Sequence, residues 1–335
     1  MHNRAHPIID RCLDICRNAL VGLALVGLAL AATGAATAQA QWPTRNVTVV
    51  VPYAAGGNTD IMARMASQKL AEAFGQSFIV DNRVGAGGAL AASYVAQAAP
   101  DGYTLFFAAA PVIAVLPKIQ KVNFDPHKDF IPVSVFGTGP FVLAIASRIP
   151  AHTIPEFVAY GKAHPLAYGS GGTGSLGHLA GALFLERAGL DAVHVPFRGG
   201  GPAMAALLGG QVDMYFGNAS EIVPAAGNSA IRILAVATDT RMRQLPQIPT
   251  VSEFYPDFAL SAWNGFMVPA KTPREIVDKL AAQVVAAAHD PTVIARLADL
   301  GIEANGTTPD AFAAQITREQ PQFDLAIKAA KLGEH

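Results

Sequence analysis

The chain is 335 residues long, with 24 Lys and Arg against 25 Asp and Glu and a formal net charge of −1. That balance excludes the basic stripe expected of a nucleic-acid binder. Glycine (31) and proline (23) are abundant while only 15% of residues are charged, the composition of a compact α/β protein with many tight strand-to-helix turns and, by length, two domains.

Met1 to Asn18 carries Arg4, Arg11 and Arg17, Ala19 to Ala32 is an apolar run, and Ala38-Gln39-Ala40 supplies a small-x-small site. The apolar run rises only about 21 Å as a helix, short of a bilayer core of about 30 Å. The pattern is that of a secretory signal peptide cleaved after Ala40, so that residues 1–40 are lost, Gln41 begins the mature chain and the protein works in the periplasm. Both cysteines, Cys12 and Cys16, precede the apolar run, so the mature chain is expected to hold no thiol, disulfide or lipid anchor. Core burial alone must then stabilise it.

Val47 to Val51 is a continuous apolar run, as in a parallel strand buried on both faces. Thr59 to Phe74 reads as a helix with Ile61, Met65, Leu70 and Phe74 inward. Phe78 to Val80 is a second strand, Ala89 to Ala98 a second helix and Tyr103 to Phe107 a third strand, which together predict a parallel, right-handed sheet. A second series follows Pro140. Its strands are predicted at Val142 to Ala146, Leu166 to Tyr168, Ala192 to Val195, Val212 to Phe216 and Ile231 to Ala237. Its helices are predicted at Pro155 to Ala163, Leu176 to Ala188 and Pro202 to Leu208.

The tail changes character. Thr272-Pro273, Asp290-Pro291 and Thr308-Pro309 each set a capping side chain before a proline, and Glu275 completes a capping-box spacing, so three helices and no strand are expected there. A strand-rich middle ahead of a helical tail implies that the chain leaves one domain, builds a second and returns. The crossings fall near Gly137 to Val142 and Trp263 to Val268, giving residues 41–140 with 266–335 in the first lobe and 141–265 in the second.

Three glycine-rich turns separate a strand from a helix: Pro52 to Asp60, Asn82 to Gly88, and Tyr168 to His178. Glycines let the backbone approach a ligand, and helix starts offer unpaired N–H groups and a positive dipole end, so an anion is the natural occupant. In the first turn Asn58 or Thr59 is positioned to cap the helix, and Asp60 complements its dipole. The third turn matches G-x-G-x-x-G twice, from Gly169 and from Gly172. A dinucleotide site also needs an acidic residue ending the next strand, yet Ala192 to Val195 runs into Pro196-Phe197-Arg198, so no nicotinamide cofactor is expected. A turn that holds no ligand is the plain alternative.

Hydrolytic chemistry has little support. Neither Ser170 nor Ser175 lies in G-x-S-x-G, and there is no H-E-x-x-H and no cysteine cluster, so neither a nucleophile elbow nor a metal site is expected. His178 and His194 with Asp213 would make a conceivable relay, although His178 reads first as a structural core histidine.

The turns, together with Pro100 to Leu105, Asp125 to Pro132, His194 to Gly199, Gly210 to Asp213, Ile248 to Glu253 and Trp263 to Gly265, resemble the Bug family of extracytoplasmic solute receptors, the binding subunits of tripartite tricarboxylate transporters. The resemblance implies a type II-like periplasmic binding protein. Each of its lobes is a mainly parallel sheet with flanking helices, the two are joined by crossing strands, and a small carboxylic acid is enclosed between them. It implies a monomeric, non-enzymatic receptor whose partners are membrane permease subunits. A secreted enzyme using His178 or Asp213, or a ligand-sensing partner of a signalling protein, are the alternatives. The candidate ligand-binding residues are Tyr53, Gly57, Asn58, Thr59 and Asp60; Gly85, Ala86 and Gly87; Ser170, Thr173, Gly174 and Ser175; and His178, Arg198 and Asp213. The family usually carries Tyr and Lys where this chain has Phe197 and Arg198, which bears on ligand preference.

Overall fold

The valine-rich strand β1 (Val47–Val51) is almost wholly buried. In this computed structural model, which describes residues 42–238, 240–256, 258 and 261–333, β1 lies between two parallel neighbours, β2 (Phe78–Asn82) and β3 (Thr104–Ala109). The leader and its cleavage point lie outside the described residues. Helix α1 (Asn58–Phe74) connects β1 to β2 and ends at Gly75, whose φ of 67° admits a left-handed stop. Its inward face differs from the predicted one: Met62, Ala63, Ala66, Ser67 and Leu70 are buried, whereas Ile61 and Met65 are only half-buried. Small residues along that ridge let the helix lie close to the sheet, so bulk did not decide which face turned in.

Helix α2 (Ala89–Ala96) joins β2 to β3, and β3 runs into two short helices, α3 (Ala110–Ala114) and α4 (Leu116–Ile119). The next strand, β4 (Phe130–Ala146), spans 17 residues and begins well before the expected Val142. Pro132, Gly137 and Pro140 hide it from a hydropathy reading. The structure accommodates them with register shifts at Pro132/Ser134 and Val135/Gly137, where extra residues are left out of the ladder.

The second series comprises α5 (Ile154–Ala163), β5 (Leu166–Ser170), α6 (Leu176–Ala188), β6 (Ala192–Pro196), α7 (Gly200–Leu208), β7 (Met214–Asn218), α8 (Ala219–Ile222) and β8 (Ile231–Val236). The chain returns through β9 (Ser261–Pro269) to α9 (Arg274–Ala288), α10 (Pro291–Asp299), the two-residue strand β10 (Glu303–Ala304) and α11 (Pro309–Ala329). Strand β10 pairs with Gly137 and Thr138 of β4, so the tail is not purely helical; two residues are too few to leave a periodic signal. Asp290 and Thr308 cap α10 and α11 as expected. Thr272 does not cap α9: its hydroxyl donates to the Pro269 carbonyl instead.

The sheet order is β2-β1-β3-β9-β4-β7-β5-β6, with β8 and β10 also on β4. The strands linked by helices are parallel, and the antiparallel pairs arise where β4 and β9 run between the two series. Strand β4 pairs with β9 from Phe130 to Pro140 and with β7 and β8 from Phe141 onward. Trp263 of β9 is fully buried, with its ring 4.9 Å from Phe312 of α11 in an edge contact. Helix α11 packs on α6, tying the tail to the second series. The carboxyl ends of the parallel strands therefore point all three glycine-rich turns out of the sheet, the position at which α/β proteins hold ligands.

Candidate functional site

The first turn is organised by a carboxylate. Asp60, 2% exposed, accepts hydrogen bonds from the Gly56 N–H (2.9 Å), the Arg64 Nε (2.9 Å) and the Asn82 Nδ2 (2.9 Å). Asn82 also donates to the Tyr53 carbonyl at 2.9 Å, which ties the end of β2 to the turn after β1. Burial works to raise the Asp60 pKa, but the Arg64 guanidinium and the Gly56 and Asn82 donors outweigh it and hold the carboxyl below its ordinary range. Asp60 thus spends its acceptors on the turn itself. Gly57, not Asn58 or Thr59, occupies the cap position, and no side chain caps the helix. The first-turn N–H groups of Asn58 and Thr59 meet no acceptor among the described residues. The buried side-chain oxygen of Asn58 has no partner either. Tyr53 is half-buried against the core, where burial pushes its phenol pKa up.

The second turn winds through four residues with positive φ: Gly85, Ala86 (φ 47°), Gly87 and Gly88. At Gly88 a Cβ would lie 2.7 Å from Val112 Cγ2, so both the backbone shape and the close packing require glycine.

The third turn tells its hydroxyls apart. Ser170 is fully buried, and its Oγ sits 2.6 Å from His194 Nε2 and accepts from the Gly172 N–H at 3.1 Å. Ser175 caps α6 by accepting from the His178 N–H. Thr173 is the exposed hydroxyl of the three. The Gly174 N–H donates to His178 Nδ1 at 3.1 Å, while the N–H groups of Gly171 and Thr173 meet no acceptor among the described residues. His178 is 4% exposed and stacks on His194 with ring centroids 3.8 Å apart. Burial lowers both imidazole pKa values to about 4, and at His178 the neighbouring His194 opposes protonation further.

Helix α4 brings the second and third turns together. A Cβ on Gly87 would lie 3.0 Å from Leu116 Cδ2, and a Cβ on Gly174 would collide with Ile119 Cδ1. A cavity of about 500 Å³ lined by Thr138, Pro140, Met242, Gln244 and Ile302 includes none of the turn residues.

Two expected residues stand elsewhere. Asp213 precedes β7, with Oδ2 accepting from the Ala167 N–H (2.8 Å) and Oδ1 paired with Arg148 (2.8 Å). That is the amino end of β5, about 10 Å of strand from Ser170 at its carboxyl end. Arg198 is exposed and forms no ion pair among the described residues. A further network escaped the sequence reading: Glu221 accepts from Tyr215 Oη (2.6 Å), Asn218 N–H (3.2 Å) and Asn218 Nδ2 (3.3 Å), and its carboxylate presses on Gly200 at the start of α7. Gly171 rests in turn on Gly199 and Gly200, so this network props the third turn from behind. Burial raises the Glu221 pKa against the pull of those donors. The Asn218-x-x-Glu221 spacing is a capping box and was the available signal.

Residues 62–330 match the model of the tripartite tricarboxylate transporter family receptors. The chain belongs to that family. It is 32% identical to the protein BugT of Bordetella pertussis over 86% of this chain and 90% of that one. Among solved structures, Rpa4515 of R. palustris with adipate is 33% identical, with a TM-score of 0.82 over 87% of this chain and 99% of that one. MatC of Rhodopseudomonas palustris with bound malate is 35% identical, with a TM-score of 0.79 over 85% and 100%. As a tripartite tricarboxylate-type receptor, the protein has the two-lobed periplasmic binding fold and is a solute receptor, not an enzyme. The enzymatic alternative for His178 and Asp213 falls with that finding.

Proposed function

We propose that this receptor captures a small carboxylic acid in the periplasm, between two lobes, and hands it to the permease subunits of a tripartite tricarboxylate-type transporter. The observation that carries the reading is the set of unmet N–H groups at Asn58, Thr59, Gly171 and Thr173, at or beside the starts of a 17-residue and a 13-residue helix. Such donors stabilise a carboxylate and offer nothing to its ester. Two similar solved structures hold adipate and malate, both carboxylates. The lobes are taken as residues 41–140 with 266–335 and residues 141–265; the change of partners along β4 at Pro140/Phe141 supports the first boundary. The ligand residues are Gly57, Asn58 and Thr59, Gly85 to Gly87, Thr173 and the turn N–H groups, with Tyr53 as a wall. Asp60, Ser170, Gly174 and Ser175 shape the turns from within. Export follows cleavage of the leader after Ala40, and the working unit is a monomer.

Closure supplies the mechanism: an acid that touches both lobes binds the closed state better, and only that difference shifts the population. A thermal-shift screen of mono- and dicarboxylic acids, each beside its methyl ester, tests the reading. Stabilisation by an acid and not by its ester is expected; equal stabilisation by both would sink it. Uptake of the bound acid by cells with and without the permease separates transport from sensing.

A further inference from the structure

Along the third turn the backbone donors alternate. The N–H groups of Gly172 and Gly174 are tied inward, to Ser170 Oγ and His178 Nδ1, while those of Gly171 and Thr173 are left open. Both inward anchors lead to the same place. Ser170 Oγ lies 2.6 Å from His194 Nε2, and the His194 ring stacks on His178 at 3.8 Å with only 13° between the planes. Tyr168 of β5 closes the stack, 4.9 Å from His194, and its ring fits only because residue 181 of α6 is glycine: a Cβ there would come within 2.8 Å. Residues of β5, α6 and β6, from Tyr168 to His194, thus converge on one turn.

We propose that His178 and His194 are positioning residues that anchor alternate amides of the turn and so aim the Gly171 and Thr173 N–H groups at the ligand carboxylate. The proposal rests on reading that turn as the second-lobe carboxylate site. The hydrogen bonds dictate the chemistry. His178 Nδ1 accepts from Gly174, so it carries no proton, and a doubly protonated ring would turn a donor against that N–H. A charge on one ring would also face the other at 3.8 Å. Among the described residues the titratable groups facing the pair are Tyr168 and the rings themselves, and neither ring is in an ion pair. His194 serves in either neutral tautomer, because Ser170 Oγ can donate to Nε2 or, accepting from it, donate to the Gly172 carbonyl at 3.1 Å. A carboxylate in the turn is therefore met by amides held in place and not by a cationic side chain.

The test compares His178→Leu, which removes the acceptor, His178→Gln, which restores one, and His194→Phe, which keeps the stack but loses the Ser170 bond. Amide exchange of Gly172 and Gly174 is followed by NMR in the ligand-free protein, and affinity is measured for the acid that most stabilises the unmodified protein. Expected are exchange about tenfold faster at Gly174 in His178→Leu and at Gly172 in His194→Phe, affinity about tenfold weaker in both, and recovery in His178→Gln. Unchanged exchange and affinity beside a lowered Tm would overturn the proposal and leave the pair as core filler. Should His178→Leu fail to fold, imidazole 15N shifts of the unmodified protein decide, since a protonated Nδ1 on His178 at pH 7 also overturns it. If no acid binds, the proposed function fails while the exchange measurements still judge the anchoring.

Discussion

The turn after β1 and the turn after β5 present the same face, open amides at a helix start, yet they are held by opposite chemistry. The first is folded around an ionised carboxylate, Asp60, with Arg64 and Asn82 as partners. The second is folded around two neutral imidazoles and a buried hydroxyl. A turn proposed to hold an anion can be braced by a negative group, provided that group's acceptors are consumed by the protein and its charge is matched by a cation. The two turns also fail at different pH. The imidazole pKa values, about 4 in the folded chain against 6.5 ordinarily, mean that the unfolded chain binds more protons in between. Stability from that pair is complete above pH 6.5 and drains as pH falls toward 4. Asp60 is held below its ordinary 3.8, so its contribution is intact above that value and is lost only as pH falls further.

Breaking the first turn is expected to cost the most. Asp60→Ala removes the acceptor for three donors and should lower unfolding free energy by about 2–4 kcal/mol in urea titration, with weakened acid binding. A loss within experimental error would mean that the turn is held by its glycines alone. The second turn is better probed by pH: two imidazoles moved independently would give about 4 kcal/mol between pH 7 and pH 5, which solvent at half-buried His194 and the coupling of the stacked rings cut to about 2 kcal/mol, and a His178→Gln/His194→Gln double variant should flatten that slope while Asp60→Ala leaves it in place. A slope that survives in the histidine double variant would assign the titration to other groups.

Gly174→Ala sharpens the contrast at a single atom. Its φ of 77° and the contact with Ile119 predict a loss of about 1–2 kcal/mol, and because Ile119 belongs to the opposite lobe in the proposed division, affinity should fall with it. Gly75→Ala has a similar φ but open space around it, so it controls for backbone strain alone. The smallest stability effect is expected at exposed Arg198, where Ala should change unfolding free energy by less than about 0.5 kcal/mol. Calorimetry with a matched diacid and monoacid then asks whether the guanidinium grips a second carboxylate: a larger loss for the diacid is expected, and equal losses would show that Arg198 does not read it.

What was legible came from local pattern. Val47 to Val51 announced a buried strand by five consecutive β-formers, and α6 was delimited at both ends because Ser175 caps it and Gly189 stops it within one turn. Strand β4 was only half visible, since Pro132 and Pro140 read as breakers until bulges and a change of partner make room for them. Asp213 was expected within a strand from Val212 to Phe216, but it precedes β7, and the register of β5 against β7 carries it to the far end of β5 from Ser170.

By itself the sequence determined where the chain must turn and what those turns can offer, because glycine conformations, helix starts and unpaired N–H groups depend on a few neighbouring residues. Only the tertiary structure decided which groups remain to be offered. Ser170 meets His194 across 24 residues, Asp60 meets Asn82 across 22, and Glu221 presses on Gly200 across a helix and a strand. Each of those meetings is set by sheet register and by how closely helices approach the sheet, and the first two convert side chains that looked free for a ligand, Ser170 and Asp60, into ones that hold the backbone where a ligand would find it.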